Sequence, residues 1–264
     1  MLKILLSNDD GVESEGIKIL YKYLKNISKV FVIAPEENQS GAGSSISTRK
    51  PLSVNKKKNG FFAVNGTPGD CVYLGLNGVC PFEPDLVITG INYGANLAED
   101  LVYSGTVGAA FEGKDLSLPS LAVSASVFSQ QDSEENKLEP NFETAAMVTR
   151  DIILNIHNLE ISSSVVLNIN VPNLPYHEIK GKSVTVLGSW GKRNPPFKEI
   201  NSKGQERFWI THRDNIPTNS KDTDIAALLE GRVSISPIFP NFYLNERSEE
   251  LLEWVNTLQI NEKI

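Results

Sequence analysis

The chain is poor in the residues that most disulfide-bonded, zinc-binding or polyanion-binding proteins depend on. Its 264 residues include two cysteines and three histidines. Cys71 and Cys80 have neither a C-x-x-C spacing nor a histidine cluster beside them, which argues against a zinc–thiolate site and a disulfide framework. Cys71 lies in an apolar stretch and reads as a buried thiol. His157, His177 and His212 are scattered along the chain, so a histidine-built zinc site is not expected. No apolar run reaches the ~20 residues that span a bilayer, and the sequence opens on a strand-like segment rather than a leader. Positive charge is scarce: 25 Lys and Arg stand against 32 Asp and Glu, a net charge of −7, where nucleic-acid polymers want a basic footprint. The short run Lys56-Lys57-Lys58 precedes Asn59-Gly60 and reads as a solvated turn. Also missing are a Walker loop and a G-x-G-x-x-G after the first strand, which removes the usual nucleoside-triphosphate and dinucleotide signatures. These absences predict a cytoplasmic protein with reduced thiols and neither a membrane nor a nucleic-acid polymer as partner.

Strand and helix patterns alternate over the first 170 or so residues. Short apolar runs suited to a buried parallel sheet occur at 3–7, 30–34, 61–64, 85–89, 121–124 and 165–169. Between the first two, Ile17, Leu20, Tyr21 and Leu24 recur at helical spacing. Thr67-Pro68-Gly69-Asp70 has the chemistry of a helix start, with Thr as cap, Pro at the first position and a carboxylate at the third. Further helices are expected from near Ser104 to Lys114 and from Phe142 to Ile156. This alternation predicts an α/β doubly wound sandwich with a mostly parallel sheet. From about residue 180 the pattern changes. Residues 183–187 alternate like a strand, and 192–210, rich in Pro, Lys and aromatics, suggests a projecting hairpin. Thr223-Asp224 caps a short helix at 225–229, 233–236 returns as a strand, and 248–258 reads as an amphipathic helix. With no internal repeat or low-complexity linker, residues 1–264 are taken as one domain, with a C-terminal elaboration over about 180–264.

The chemistry begins where the first apolar run stops, at Asn8-Asp9-Asp10-Gly11. Ligands of open α/β sheets bind beyond the carboxyl ends of the strands, and adjacent carboxylates there repel unless a cation lies between them. A hard divalent ion with oxygen ligands is the simplest resident. Asn, Asp and Gly are also ordinary turn residues, so the rest of the chain must decide. Two more strand exits carry oxygen donors: Ser40 in the loop 38–45, and Asn92 in the stretch 90–96. If these strands are neighbours, the loops converge on a partly filled shell with room for water and a phosphate oxygen, as Mg²⁺ and Mn²⁺ are held at phosphoryl-transfer sites. Such an ion would also supply the positive charge that an acidic protein needs for an anionic substrate. Tyr103-Ser104-Gly105-Thr106-Val107-Gly108 places small and hydroxyl residues at a helix start, where an anion is favoured. Tight packing explains the glycines but not Ser104 and Thr106.

Several segments together closely resemble the SurE survival-protein family. They are 5–11 (LLSNDDG), 34–41 (APEENQSG), 66–72 (GTPGDCV), 90–96 (GINYGAN), 103–107 (YSGTV), and the C-terminal 223–231 and 233–237. The resemblance implies a Rossmann-like core and a divalent-metal-dependent 5′-nucleotidase acting on nucleoside monophosphates. It implies one Mg²⁺ or Mn²⁺ ion on Asp9, Asp10, Ser40 and Asn92, with Asp9 and Asp10 as the catalytic carboxylates. It also implies substrate contacts from Asn96, Ser104, Gly105 and Thr106, and a homodimer or homotetramer built by C-terminal exchange. The chain departs from the pattern at Gln39, where Arg is frequent, at Gly69 for a frequent Thr, and at Ser14-Glu15 for Ala-Pro. Gln39 removes a cation near the site. Which Asp acts as base, and whether one is instead a nucleophile, stays open at this level. The competing reading is a nucleotide-binding regulatory module without turnover, which the fold alone permits.

Overall fold

The structure, a computed structural model, describes residues 1–114, 116–127, 139–210, 221–239 and 249–257. The strands are β1 (Leu2–Ser7), β2 (Ser28–Pro35), β3 (Val54–Lys56), β4 (Phe62–Val64), β5 (Leu86–Tyr93), β6 (Ser120–Ala125), β7 (Val166–Val171), β8 (Lys182–Val184), β9 (Phe197–Ile200), β10 (Glu206–Trp209) and β11 (Val233–Ile238). The α-helices are α1 (Glu15–Leu24), α2 (Pro68–Leu74), α3 (Gly105–Phe111), α4 (Phe142–Asn155), α5 (Asp224–Leu229) and α6 (Glu249–Asn256).

Nine strands form one sheet in the order β3-β4-β2-β1-β5-β6-β7-β11-β8. The six from β4 to β7 run parallel. β3 pairs antiparallel with β4 at one edge, and β11 lies antiparallel to β7 and parallel to β8 at the other. Parallel pairing requires crossovers that cover both faces of the sheet, and β1 shows the result. Ile4 and Leu6 face one core with Ile17, Leu20 and Leu24 of α1 and Ala145 of α4. Leu5 between them faces the other, with Val72 of α2 and Ala109 of α3. The doubly wound α/β sandwich expected from the alternation is therefore present. Among the described residues no helix is long and apolar enough to cross a membrane.

Thr67 caps α2 through the reciprocal box expected of it: its hydroxyl accepts from the Asp70 N–H while Asp70 accepts from the Thr67 N–H. Other boundaries differ. β5 does not end at Thr89 but continues to Tyr93, with a register shift between Thr89 and Asn92. Gly90, at φ 128°, makes the stretch look like a loop in sequence. A side chain there would collide with the Val123 carbonyl oxygen, 2.2 Å from an added Cβ, so the glycine serves strand packing. Asn92 is therefore the penultimate residue of a strand rather than a loop residue. α3 stops at Phe111, not Lys114, because the next N–H groups tighten to i−3 acceptors. β3 lacks an apolar pattern, being an exposed antiparallel edge. The strand expected at 183–187 shortens to β8, followed by an isolated bridge from Val186 to Thr223. His212, and the ends of the helix expected at 248–258, lie outside the described residues.

Candidate active site

From β1 the chain winds to β2 and β4 on one side, then returns to β5 on the other. The winding reverses between β1 and β5, so the crevice beyond their carboxyl ends is where such sheets bind ligands. Asp9 and Asp10 follow β1, and Asn92 lies near the end of β5. The intervening turn is shaped by Asn8, whose buried amide donates to the Gly11 carbonyl at 3.0 Å and to Ser14 Oγ at 2.7 Å.

Each carboxylate has one oxygen held by a specific donor. Thr106 Oγ1 donates to Asp9 Oδ1 at 2.5 Å, and the Tyr93 N–H donates to Asp10 Oδ2 at 3.0 Å. Gly105 lets α3 approach closely: an added Cβ would lie 2.9 Å from Asp9 Oδ2. Burial raises the Asp9 pKa against the lowering effect of the Thr106 hydrogen bond. Burial and the Asp9 charge push Asp10 up to about 6. No Lys, Arg or His among the described residues forms an ion pair with either. A buried carboxylate beside a half-buried one, without a counter-charge among the described residues, fits a cation, which would stabilise both ionised forms. Among the described residues no three His, Cys, Asp or Glu cluster for metal binding. A resident ion would therefore rest on two carboxylates and neutral oxygens, a donor set for a hard cation.

Asn92 Nδ2 donates to the Gly94 carbonyl at 2.8 Å, which leaves Oδ1 as the acceptor end of that amide. Ser40 is exposed, and its N–H donates to Asn38 Oδ1 at 2.8 Å. Its loop is drawn to the site by the Gln39 N–H on the Asp9 carbonyl at 2.8 Å and the Gly43 N–H on the Tyr103 carbonyl at 3.2 Å. Gly108 completes this junction, since an added Cβ would lie 2.7 Å from the Gly43 carbonyl oxygen. The three oxygen-bearing segments thus meet because β2, β1 and β5 are adjacent.

Three residues expected at the substrate, Thr106, Ser104 and Asn96, have partners within the fold. The Thr106 hydroxyl was expected to donate to a phosphoryl oxygen, but it is fully buried and directed at Asp9. Ser104 Oγ caps α3 by accepting from the Val107 N–H at 3.1 Å, so its own proton remains available. Asn96 is clamped from behind. Its N–H donates to Asn170 Oδ1 at 2.8 Å, its carbonyl accepts from Asn168 and Asn170 Nδ2 at 3.0 and 2.9 Å, and its side chain donates to Ser124 Oγ at 2.8 Å. The supporting roles of Ser124, Asn168 and Asn170 have no motif of their own in the sequence. The one signal is Asn168-Ile169-Asn170 within β7, because asparagine is depleted in strands and here occupies one face twice.

Comparison with known proteins identifies the family. The family model described as Survival protein SurE matches residues 4–194. A protein named 5′-nucleotidase SurE from Pseudomonas putida (strain W619) is 41% identical over 254 residues, covering 96% of this chain and 98% of its own. One of the same name from Coxiella burnetii (strain Dugway 5J108-111) is 40% identical over 259 residues, covering 98% and 97%. The solved structure of the SurE protein from Aquifex aeolicus superposes with a TM-score of 0.80 at 38% identity, covering 96% of this chain and 99% of that one.

Proposed function

The chain belongs to the SurE family, and from that premise we propose that it is a phosphomonoesterase that hydrolyses nucleoside 5′-monophosphates to nucleoside and phosphate, assisted by one divalent cation, Mg²⁺ or Mn²⁺. The relatives named 5′-nucleotidase, similar over nearly the whole chain, support nucleotide phosphatase activity. The observation that carries the metal-dependent reading is the carboxylate pair of buried Asp9 and half-buried Asp10 at the point where the sheet's winding reverses, with no cationic side chain among the described residues paired to them.

In this reading Asp9, Asp10, Asn92 and Ser40 hold the ion. When bound, the ion supplies positive charge that polarises a phosphoryl oxygen and acidifies a water near neutral pH. The protein's part is to fix its own oxygens. The Thr106 hydroxyl restrains one oxygen of Asp9, and the Tyr93 N–H one oxygen of Asp10. Ser104, its Oγ already an acceptor, donates a hydrogen bond to the phosphoryl group, and Asn96 is held rigid by the asparagines of β7. Gly105 keeps the approach to Asp9 open. The proposal includes one domain with a C-terminal elaboration that associates copies into a dimer or tetramer, in the cytoplasm.

The test is phosphate release from AMP by the full chain with Mn²⁺, with Mg²⁺ and with chelator. Activity that disappears with chelator and returns with metal, while the circular dichroism spectrum stays constant, is expected. Tight AMP binding with no turnover under any metal would instead mark a regulatory module. Acid-labile phosphate trapped on the protein would make one Asp a nucleophile rather than a ligand or base.

A further inference from the structure

The residues above account for a phosphate and an ion but not for the rest of a nucleotide. A base offers π-faces, which proteins meet with aromatic rings and with the guanidinium plane of arginine. One such pair stands at the rim of the site. Tyr103 immediately precedes Ser104, and its carbonyl ties down the 38–45 loop through Gly43. Its side chain is 55% exposed although the residues that follow it are buried. The Arg193 guanidinium lies over the Tyr103 ring, 4.9 Å from its centroid. Arg193 Nη2 is anchored to Asp100 Oδ1 at 3.3 Å, while 41% of the arginine side chain stays open. Its segment is pinned from the opposite direction, since the Trp190 N–H donates to Glu99 Oε2 at 3.0 Å.

We propose that Tyr103 and Arg193 form the platform on which the nucleoside base stacks. The inference rests on the nucleotidase reading above and adds the part of the site that holds the base. The reach is suitable. Tyr103 is two residues from Gly105, which packs on the Asp9 carboxylate, and two Cα steps cover at most about 7 Å. The backbone that carries the ring therefore lies beside the residue packed on the Asp9 carboxylate. Arginine stacked on an aromatic ring presents a flat, weakly hydrated cation, and such a surface favours the faces of bases. It also brings to the rim a positive charge of the kind that Gln39 does not supply. Because Arg193 belongs to the C-terminal elaboration, that segment contributes to the substrate site as well as to the proposed assembly.

The experiment compares AMP with ribose 5-phosphate, which carries the same ester without a base, on the full chain with Mn²⁺. Tyr103→Leu is expected to raise the KM for AMP about tenfold, within the range of one lost stacking contact, with kcat little changed. Ribose 5-phosphate should keep its kcat/KM within about twofold, and Tyr103→Phe should behave as wild type. Arg193→Gln should shift the AMP value in the same direction by a smaller factor. Equal losses on both substrates would overturn the proposal, because Tyr103 would then only shape the Ser104 turn. No change on either would overturn it too, making the pair ordinary surface. If the wild-type protein hydrolyses no ester, the nucleotidase reading fails on its own. Adenosine titrated into wild-type protein and Tyr103→Leu and followed by NMR line broadening then decides the platform: wild-type binding lost in the variant supports it, while undetectable or equal binding refutes it.

Discussion

At the carboxyl end of β1, Asn8 and Asp9 are buried and each held by side-chain hydrogen bonding, while in the β9–β10 hairpin Phe197 and Trp209 stand 60% and 57% exposed. The two regions depart from the usual distribution of residues in opposite directions. The first takes charge out of water beside an apolar strand, which is unfavourable unless something cationic or a proton compensates. The second leaves aromatic area in water on a two-stranded ribbon, with Trp209 opposite Phe197 and Phe208 opposite Lys198, and a lone ribbon of this kind is marginal by itself. Each lacks a partner of a different kind. The paired carboxylates suit an ion, and the open aromatics suit a protein surface.

The largest expected effect breaks the first region. Asp10→Asn, and equally Asp9→Asn, should lower metal affinity and kcat/KM by more than the ten- to hundredfold typical of residues behind a metal's ligands. The metal-free variants should melt higher than wild type, since one of two facing charges is gone. Isothermal titration with Mn²⁺ and a thermal scan with chelator measure both. Wild-type metal affinity in both variants would place the ion elsewhere.

Thr106→Val ranks next. Its hydroxyl supports Asp9 rather than standing in the open, so metal affinity and turnover should fall together, each by about ten- to a hundredfold. A loss of turnover with unchanged Mn²⁺ titration would mean the hydroxyl serves the phosphate after all.

A pH series sharpens the same contrast. Asp10 is pushed up to about 6 in the fold from an ordinary 3.8, so between those values the folded protein holds a proton that the unfolded chain has released. Stability of the metal-free protein should therefore be highest at the acid end and decline as pH rises through this window. With saturating Mn²⁺ the sign reverses, because the ion binds the deprotonated form. Melting temperatures from pH 4 to 7, with and without metal, give the two slopes.

The smallest thermal effect belongs to the hairpin. Trp209→Ala should leave the stability of the isolated chain within about 0.5 kcal/mol, as for exposed positions generally, yet lower the mass seen by light scattering at micromolar concentration. An unchanged mass would remove the hairpin from the assembly.

These two regions also mark what could be read from the sequence. The parallel strands were legible because burial on both faces leaves uninterrupted apolar runs such as Val30 to Ala34, and α1 and α2 carried their own stripe and cap. Asp9 and Asp10 stood out as candidates only together with the other strand exits, because Asn-Asp-Asp-Gly by itself is also ordinary turn chemistry. What escaped was anything settled by a distant partner. The continuation of β5 through Gly90 depends on the Val123 backbone. The direction of the Thr106 hydroxyl depends on Asp9, 97 residues away in sequence. The asparagines of β7 acquire meaning only against Asn96. No local pattern encodes these pairings.

The order of strands at the sheet's far edge bears on how the chain is made. β8 reaches the sheet only through β11, which lies between it and β7 although it comes later in the chain. A ribosome delivering roughly 5–20 residues per second needs about 3–10 s to proceed from Val184 to Val233. During that interval β7 is an open edge, with its N–H and C=O groups unpaired on one side and no neighbour yet synthesised to take the place. A nascent chain of this protein thus presents a template for strand addition that the finished one has closed, and the hazard of mispairing is concentrated in the last part of synthesis.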